Sequence, residues 1–398
     1  LRELHVKVYL VVSLVVFGTA AGIVLLDLIP LIRRFLGRIH IGQWGNADEW
    51  RAGVRSRLLK QLDKPPAVPV SDNERLTVIE RLSGRYTSKN LQCWQEASLL
   101  LGACEFAGEP DAAREIKRFV ERKIDFRTGE WTREYSKPDS AMLAFAILKA
   151  AAEKAKIKPA MDKTAGLLFS LAGNATVPYN PSLQGIRFVD TVGMVCPFLF
   201  LYGLEYGKRE AVELAERQIR EYVEFGLHPF LKLPVHCFDT GTLAPLGIYG
   251  WGRGCGWLAV GLMDSYLCLS SNSNSVSDGT GLGDTKRFIM EQMVCLAGAL
   301  LPYQATTGAW CRQVAARDAG DSSATAMLAW FFTRLFALTG DDTYKTAADK
   351  AQKFLIGATR KSGCVDFAQG DTKGIGFYSA RLEPMPAALG FTARCIAG

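Results

Sequence analysis

Six stretches of this chain are apolar on every face and rich in small residues: WQEASLLLGACEF (94–106), SAMLAFAILKAAA (140–152), TVGMVCPFLFLYG (191–203), GWLAVGLMDSYLCL (256–269), SATAMLAWFFTRLFAL (323–338) and PMPAALGFTARCIA (384–397). A helix without a polar face has to be surrounded by protein. Between these stretches run amphipathic patterns with charged faces: DAAREIKRFVERKI (111–124), REAVELAERQIREYVEF (209–225) and DTYKTAADKAQKFLI (342–356). MDKTAGLLFSLAG (161–173) and TKRFIMEQMVCLAGALL (285–301) belong with them but are less polar. The alternation returns roughly every 45–65 residues, which marks a supersecondary repeat. Six inner helices ringed by outer ones make an (α/α)6 barrel. A generic helical solenoid shares the period but uses more amphipathic helices. Strand-like alternation is scarce, so the pattern predicts an all-α domain.

Ahead of the barrel, residues 8–26 (VYLVVSLVVFGTAAGIVLL) carry no charge, and the apolar run continues past Asp27 through LIPLI. About 20 apolar residues cross a bilayer core, so a transmembrane anchor is the favoured reading. A cleaved signal peptide is the rival, since GTAAG offers small residues, and a buried core helix is a third reading. The chain then divides into an anchor (1–32), a juxtamembrane segment (33–49) and a barrel (50–398). A Pro-rich connection, DKPPAVPVSDNE (63–74), falls early in the barrel. Arg33, Arg34 and Arg38 follow the span, with Arg51, Arg55 and Arg57 soon after, and the positive-inside bias then puts the barrel on the cytoplasmic side. The 10 cysteines contain no CxxC pair and sit mostly in apolar helical stretches, which suits reduced core thiols in the same compartment. The net charge of +7 is moderate, and no lysine-rich tail or basic–aromatic array points to nucleic acid. There is no HExxH or clustered His/Cys set, so neither a metal nor another cofactor is expected. The glycines of DGTGLGDT (278–285) have no strand before them, and SSNSNSVSDGTG (270–281) reads as a loop.

Ionisable residues recur just before the inner helices: Asp139, Asp190, Arg253, Asp321 and Glu383. Each acid taken alone fits a helix cap. Taken together they mark one rim, where two carboxylates near a sugar divide acid and base duties if their surroundings separate their pKa values. Asp190, in RFVDTVGM, has apolar neighbours that favour a held proton, whereas Asp139, in YSKPDSAM, looks polar enough to stay ionised. His236, in the apparent loop LPVHCFDTG, is either structural or a donor to ligand or water. In YGWGRGCGW (249–257), glycines allow close approach to the backbone and Arg253 offers a fork that matches a carboxylate. Trp257 opens an inner helix, which favours stacking on a sugar face, and Trp251 is open between core and ligand.

VDTVGMVCPFLFLYG, the downstream histidine and WGRGCGW resemble the unsaturated glucuronyl and rhamnogalacturonyl hydrolases, glycoside hydrolase families 88 and 105. DSSATAMLAWFFTR and EPMPAALGFTA support the likeness. It spans the chain from about Trp50 onward and is more specific for the superfamily than for the substrate. The resemblance implies an (α/α)6 barrel that hydrates the C4=C5 bond of a terminal unsaturated uronate on an oligosaccharide. It matches Asp190 to the proton-donating acid, Asp139 to the second aspartate, His236 to the active-site histidine, and Arg253 and Trp257 to the substrate-binding pair. The chain departs from the family's usual pattern with HCFD after the histidine position and with Cys255 in place of an asparagine. Two other readings remain open. One is a hydrolase of saturated glycans, and the other a membrane-tethered glycan-binding protein without turnover.

Overall fold

The computed structural model describes residues 2–271, 282–316 and 318–396. The proposed loop SSNSNSVSDGTG lies almost wholly outside the described residues. Helix α1 (Arg2–Arg38) leads into alternating outer and inner helices. The pairs are α2 (Ala47–Asp63) with α4 (Cys93–Cys104), and α5 (Pro110–Lys123) with α6 (Ser140–Ala150). Next come α7 (Lys158–Ala172) with the split inner helix α8 (Val189–Met194) and α9 (Cys196–Tyr206), and α10 (Arg209–Phe225) with α11 (Gly252–Ser271). The last pairs are α12 (Leu282–Leu300) with α13 (Ser322–Thr339), and α14 (Asp342–Gly357) with α15 (Pro386–Ile396). One short helix, α3 (Val78–Leu82), interrupts the alternation between α2 and α4.

The inner helices close on themselves. α4 packs on α6, α6 on α9, α8 and α9 on α11, α11 on α13, α13 on α15, and α15 back on α4. This is the (α/α)6 barrel. The closing seam works because two glycines let backbones meet: a Cβ on Gly390 would lie 2.2 Å from the Ser98 carbonyl oxygen, and one on Gly102 would lie 2.5 Å from that of Gly390. Outer helices bury one stripe each. In α5 the buried residues are Ala112, Ile116, Phe119 and Val120, at helical spacing. Full burial of a side chain such as Ile116 or Phe119 contributes about 1.5–3 kcal/mol. α2 completes the outer ring as a sixth member beyond the five expected. Asn46 caps it by accepting a hydrogen bond from the Glu49 N–H at 2.8 Å.

Two departures from a plain barrel shape the cavity end. The stretch 191–203, expected as one helix, breaks at Val195, because Pro197 has no N–H to give and crowds the turn before it. Strands Ile186–Phe188, Val235–Asp239 and Pro245–Tyr249 form a three-stranded antiparallel sheet in that order. Of the sheet's outer strands, Ile186–Phe188 runs directly into the helix that carries Asp190, and Pro245–Tyr249 leads after two residues into the one that carries Arg253. α1 buries none of its residues over its apolar length. Its last turns are pinned to the barrel, with Arg34 paired to Glu74 at 2.6 Å and Arg38 to Asp366 at 2.8 Å.

Candidate active site

Where the inner helices begin, the chain surrounds a cavity of about 440 Å³. Asp139, Asp190, His236, Trp251, Arg253 and Trp257 all line it. The capping explanation separates the acids. Asp321 is a cap: its Oδ1 accepts from the Ser323 N–H at 2.9 Å and the Gln369 N–H at 3.0 Å, and it stays out of the cavity. Glu383 ion-pairs with Arg381 and with Arg34, also outside the cavity. Asp139 stands at the N-cap of α6, but its side chain makes no capping hydrogen bond.

Asp190 projects from the first turn of α8, and its Oδ2 finds no hydrogen-bond donor among the described residues. Burial pushes its pKa up to about 7, against the opposing pull of Arg253. Asp139 is not the polar, freely ionised group expected from its neighbours in sequence. It too is buried, and burial raises it to about 6 even with Lys137 and the Cys93 N–H pulling down. The order of the two is the expected one, with Asp190 the better proton holder near neutrality.

His236 sits on a strand rather than in a loop. The register between strands 235–239 and 245–249 slips here: Val235 pairs with Tyr249 and Cys237 with Leu246, so Gly247 and Ile248 together oppose His236. This is a β-bulge with Gly247 at φ +81°, and it re-aims the local side chains and backbone. A Cβ on Gly247 would lie 2.7 Å from the Tyr378 hydroxyl, so glycine makes the space in which that phenol meets the imidazole. The Ile248 N–H donates to Tyr378 Oη at 3.1 Å, and the same oxygen lies 3.1 Å from His236 Nδ1. The phenol is placed to donate its own proton to Nδ1, the arrangement that goes with the Nε2–H tautomer, and Nε2 lies 3.8 Å from Asp190 Oδ2. That separation exceeds a hydrogen bond. Burial and Arg253 together push the imidazole pKa down to about 4, so the pair is not a salt bridge.

Arg253 is 3% exposed, and its guanidinium donates to the carbonyls of Gln369 at 2.8 Å and Gly370 at 3.0 Å. It forms no ion pair among the described residues, which is unusual for a buried cation. Its carbon lies 4.9 Å from the Trp251 ring centre, and Trp251 is itself fixed by an Nε1–H bond to Gln369 Oε1 at 2.9 Å. Trp257 departs from the expected stacking role. α11 begins a turn earlier than the pattern suggests, so Trp257 lies in its second turn, edge-on to Trp94 and Phe391 and only 1% exposed. It lines the cavity while almost wholly buried.

Sequence reasoning missed Tyr179, Lys137, Asp371, Lys373 and Tyr378. Burial raises the Asp371 carboxyl, while Arg253, Lys373 and a 2.7 Å bond from Gln92 oppose the rise. Burial, then the charges of Asp190, Asp139 and Asp371, holds the Tyr179 phenol well above its ordinary range, so it keeps its proton. These residues lie in irregular connections, where no periodicity marks them. Among the described residues no group of three His, Cys, Asp or Glu side chains is placed to hold a metal ion.

Residues 143–381, more than half the chain, match the sequence profile of Glycosyl Hydrolase Family 88. The chain belongs to that family. It is a glycoside hydrolase, and every expected site residue except Asp139 falls within the matched region. A possible family 105 member from Salmonella enterica superposes with a TM-score of 0.72 at 16% identity, over 89% of the hydrolase and 94% of its own chain. A family 105 hydrolase from C. acetobutylicum gives 0.63 at 15% identity, over 78% and 95%. An unsaturated glucuronyl hydrolase from a Bacillus species gives 0.55 at 16% identity, over 86% and 94%. These likenesses are of fold. A comparison with curated proteins returns no match.

Proposed function

We propose that the hydrolase acts on oligosaccharides ending in a C4=C5 unsaturated uronate, by acid-catalysed hydration of that double bond. One observation carries this reading: a buried carboxyl that holds a proton near neutrality shares its cavity with a buried guanidinium that has no carboxylate partner. Arg253 takes the uronate carboxylate, with Lys137 and Lys373 adding positive charge at the rim. Asp190 gives its proton to C4, and positive charge develops at C5. Water adds to C5 and returns a proton to the Asp190 carboxylate, so the acid is restored. The resulting hemiketal opens and releases the aglycone. Asp139 remains ionised and stabilises the developing charge, and the His236 Nε2–H orients the Asp190 carboxylate or the incoming water.

α1 is the membrane anchor in this reading, with Arg33, Arg34 and Arg38 on the barrel side favouring a cytoplasmic domain. The test is the enol-ether absorbance of lyase-generated disaccharides. The hydrolase should bleach it and Asp190→Asn should not. Sugar release from a saturated glycan instead, or saturable binding that survives Asp190→Asn without turnover, would replace the proposal.

A further inference from the structure

α1 is 37 residues long, about 55 Å at helical rise, whereas a bilayer core is about 30 Å thick. Its charge-free run ends at Asp27, and that carboxylate is not left to solvent. Oδ2 accepts the Leu76 N–H at 2.6 Å, and Oδ1 accepts the Thr77 N–H at 3.1 Å and the Thr77 hydroxyl at 2.6 Å. The segment before and through α3 is therefore hung on α1 at the first charge after the uncharged run, five residues before the apolar stretch ends at Ile32. That segment presents Leu76, Ile79 and Leu82 to solvent at 75%, 69% and 85% exposure. Leu76 is moreover held at φ +53°, a left-handed conformation that a leucine adopts only at a cost. Arg33, Arg75 and Arg85 flank the patch and are exposed. Exposed apolar tips with exposed arginines at both ends of the segment, Arg75 and Arg85, set beside an apolar helix long enough to span a bilayer, have the composition of an interfacial lipid contact.

The same collar carries the rim of the catalytic cavity. Lys373 donates to the Val70 carbonyl at 2.6 Å, Ser379 to Asp72 at 2.8 Å, and Arg381 to the Ser71 carbonyl at 2.7 Å. Arg34 of α1 reaches Glu383 at 3.2 Å. The loop that supplies Asp371 and Lys373 to the cavity is thus tied to the segment that hangs on α1.

We propose that residues 75–82 dock on an anionic lipid surface beside α1. The cavity rim is thereby held at that surface, and the substrate is uronate-ended glycan displayed there rather than free in solution. The proposal rests on the reading of α1 as an anchor and adds a second, separable lipid contact.

The test uses the full chain in nanodiscs containing phosphatidylglycerol, with a polarity-sensitive fluorophore on Leu82→Cys. Phe17→Cys reports the span, and Asp342→Cys reports the barrel end opposite the cavity. The unsubstituted chain supplies the labelling background. Quenching of the probe at 82 by shallow nitroxide lipids, with the probe at 342 unquenched, supports docking. A water-like probe at 82 with a quenched probe at 17 overturns docking and leaves the anchor standing. Water-like probes at both 82 and 17 overturn both. A quenched probe at 82 with a water-like probe at 17 keeps docking and removes the anchor. Leu76→Ser, Ile79→Ser and Leu82→Ser combined should lower turnover of a lipid-coupled unsaturated disaccharide about tenfold, well within what three apolar side chains contribute on entering lipid. Turnover of the soluble disaccharide should stay unchanged. Equal loss on both substrates, or none on either, overturns the surface-substrate claim.

Discussion

A carboxyl works as a general acid only while its proton is present, so Asp190 and Asp139 should set opposite limbs of the rate profile. Activity that needs protonated Asp190 falls as pH rises through about 7, and activity that needs ionised Asp139 falls as pH drops through about 6. The expected kcat/KM profile on an unsaturated disaccharide is a narrow bell between those values. A flat profile from pH 5 to 8 would remove both assignments. His236 adds nothing to either limb, because its imidazole is already neutral throughout. Its role turns on which nitrogen bears the proton, and Tyr378 decides that. Tyr378→Phe keeps the ring against His236 and Trp251 but deletes the hydroxyl between Ile248 and Nδ1. Freed to adopt either tautomer, the imidazole should lose up to about 1.5 kcal/mol of preference, roughly a tenfold fall in kcat with KM little changed. Nitrogen-15 shifts of the ring report the tautomer directly. An Nδ1-protonated ring in the unsubstituted enzyme would defeat this account.

At the scale of elements, helices were legible in sequence where burial dominated their composition. α4, α6, α11, α13 and α15 are apolar nearly all round because each stands in a closed ring with protein on every side. The strands were not legible, since VHCFD is a short apolar run that a helix or a loop would equally allow. Asp190 and Arg253 were found because they lie at the starts of inner helices. Asp371, Tyr179 and Tyr378 were missed because tertiary contacts alone bring irregular segments to the cavity. Glycine shows the same limit from the other side, since its spacing does not reveal which position is crowded. Gly390→Ala gains about 1 kcal/mol of helix propensity, yet its Cβ meets the backbone of α4 at 2.2 Å, and parting the seam costs about 1–3 kcal/mol or more. A Cβ on Gly166, inside α7, would have nothing within 4 Å of it, so Gly166→Ala keeps the whole gain. Thermal melts should therefore move in opposite directions, and a stabilised Gly390→Ala would show that the seam is looser than described.

For the molecule as a whole, the joint between α1 and the barrel and the grip on Arg253 share one short segment. Arg38 donates twice to Asp366, at 2.8 and 2.9 Å, and Arg360 and the Phe367 N–H each reach the same carboxylate at 2.7 Å. Three and four residues further on, the carbonyls of Gln369 and Gly370 hold the guanidinium of Arg253. Asp366 is fully buried, so withdrawing Arg38 leaves a buried charge on one guanidinium in place of two. With Arg360 still present, the loss should be about 1–3 kcal/mol rather than the larger penalty of an unpaired buried ion. Part of that loss should appear as motion of residues 366–370. Because the proposed mechanism gives Arg253 the uronate carboxylate and Asp190 lies on a different element, Arg38→Ala should raise KM several-fold and leave kcat nearly intact, while amide exchange quickens across 366–370. A double-mutant cycle with Arg253→Lys measures the coupling, since two changes acting through one segment are not additive. Additive effects, or a fall in kcat at constant KM with exchange unchanged, would mean that the end of α1 holds the barrel without reaching the site.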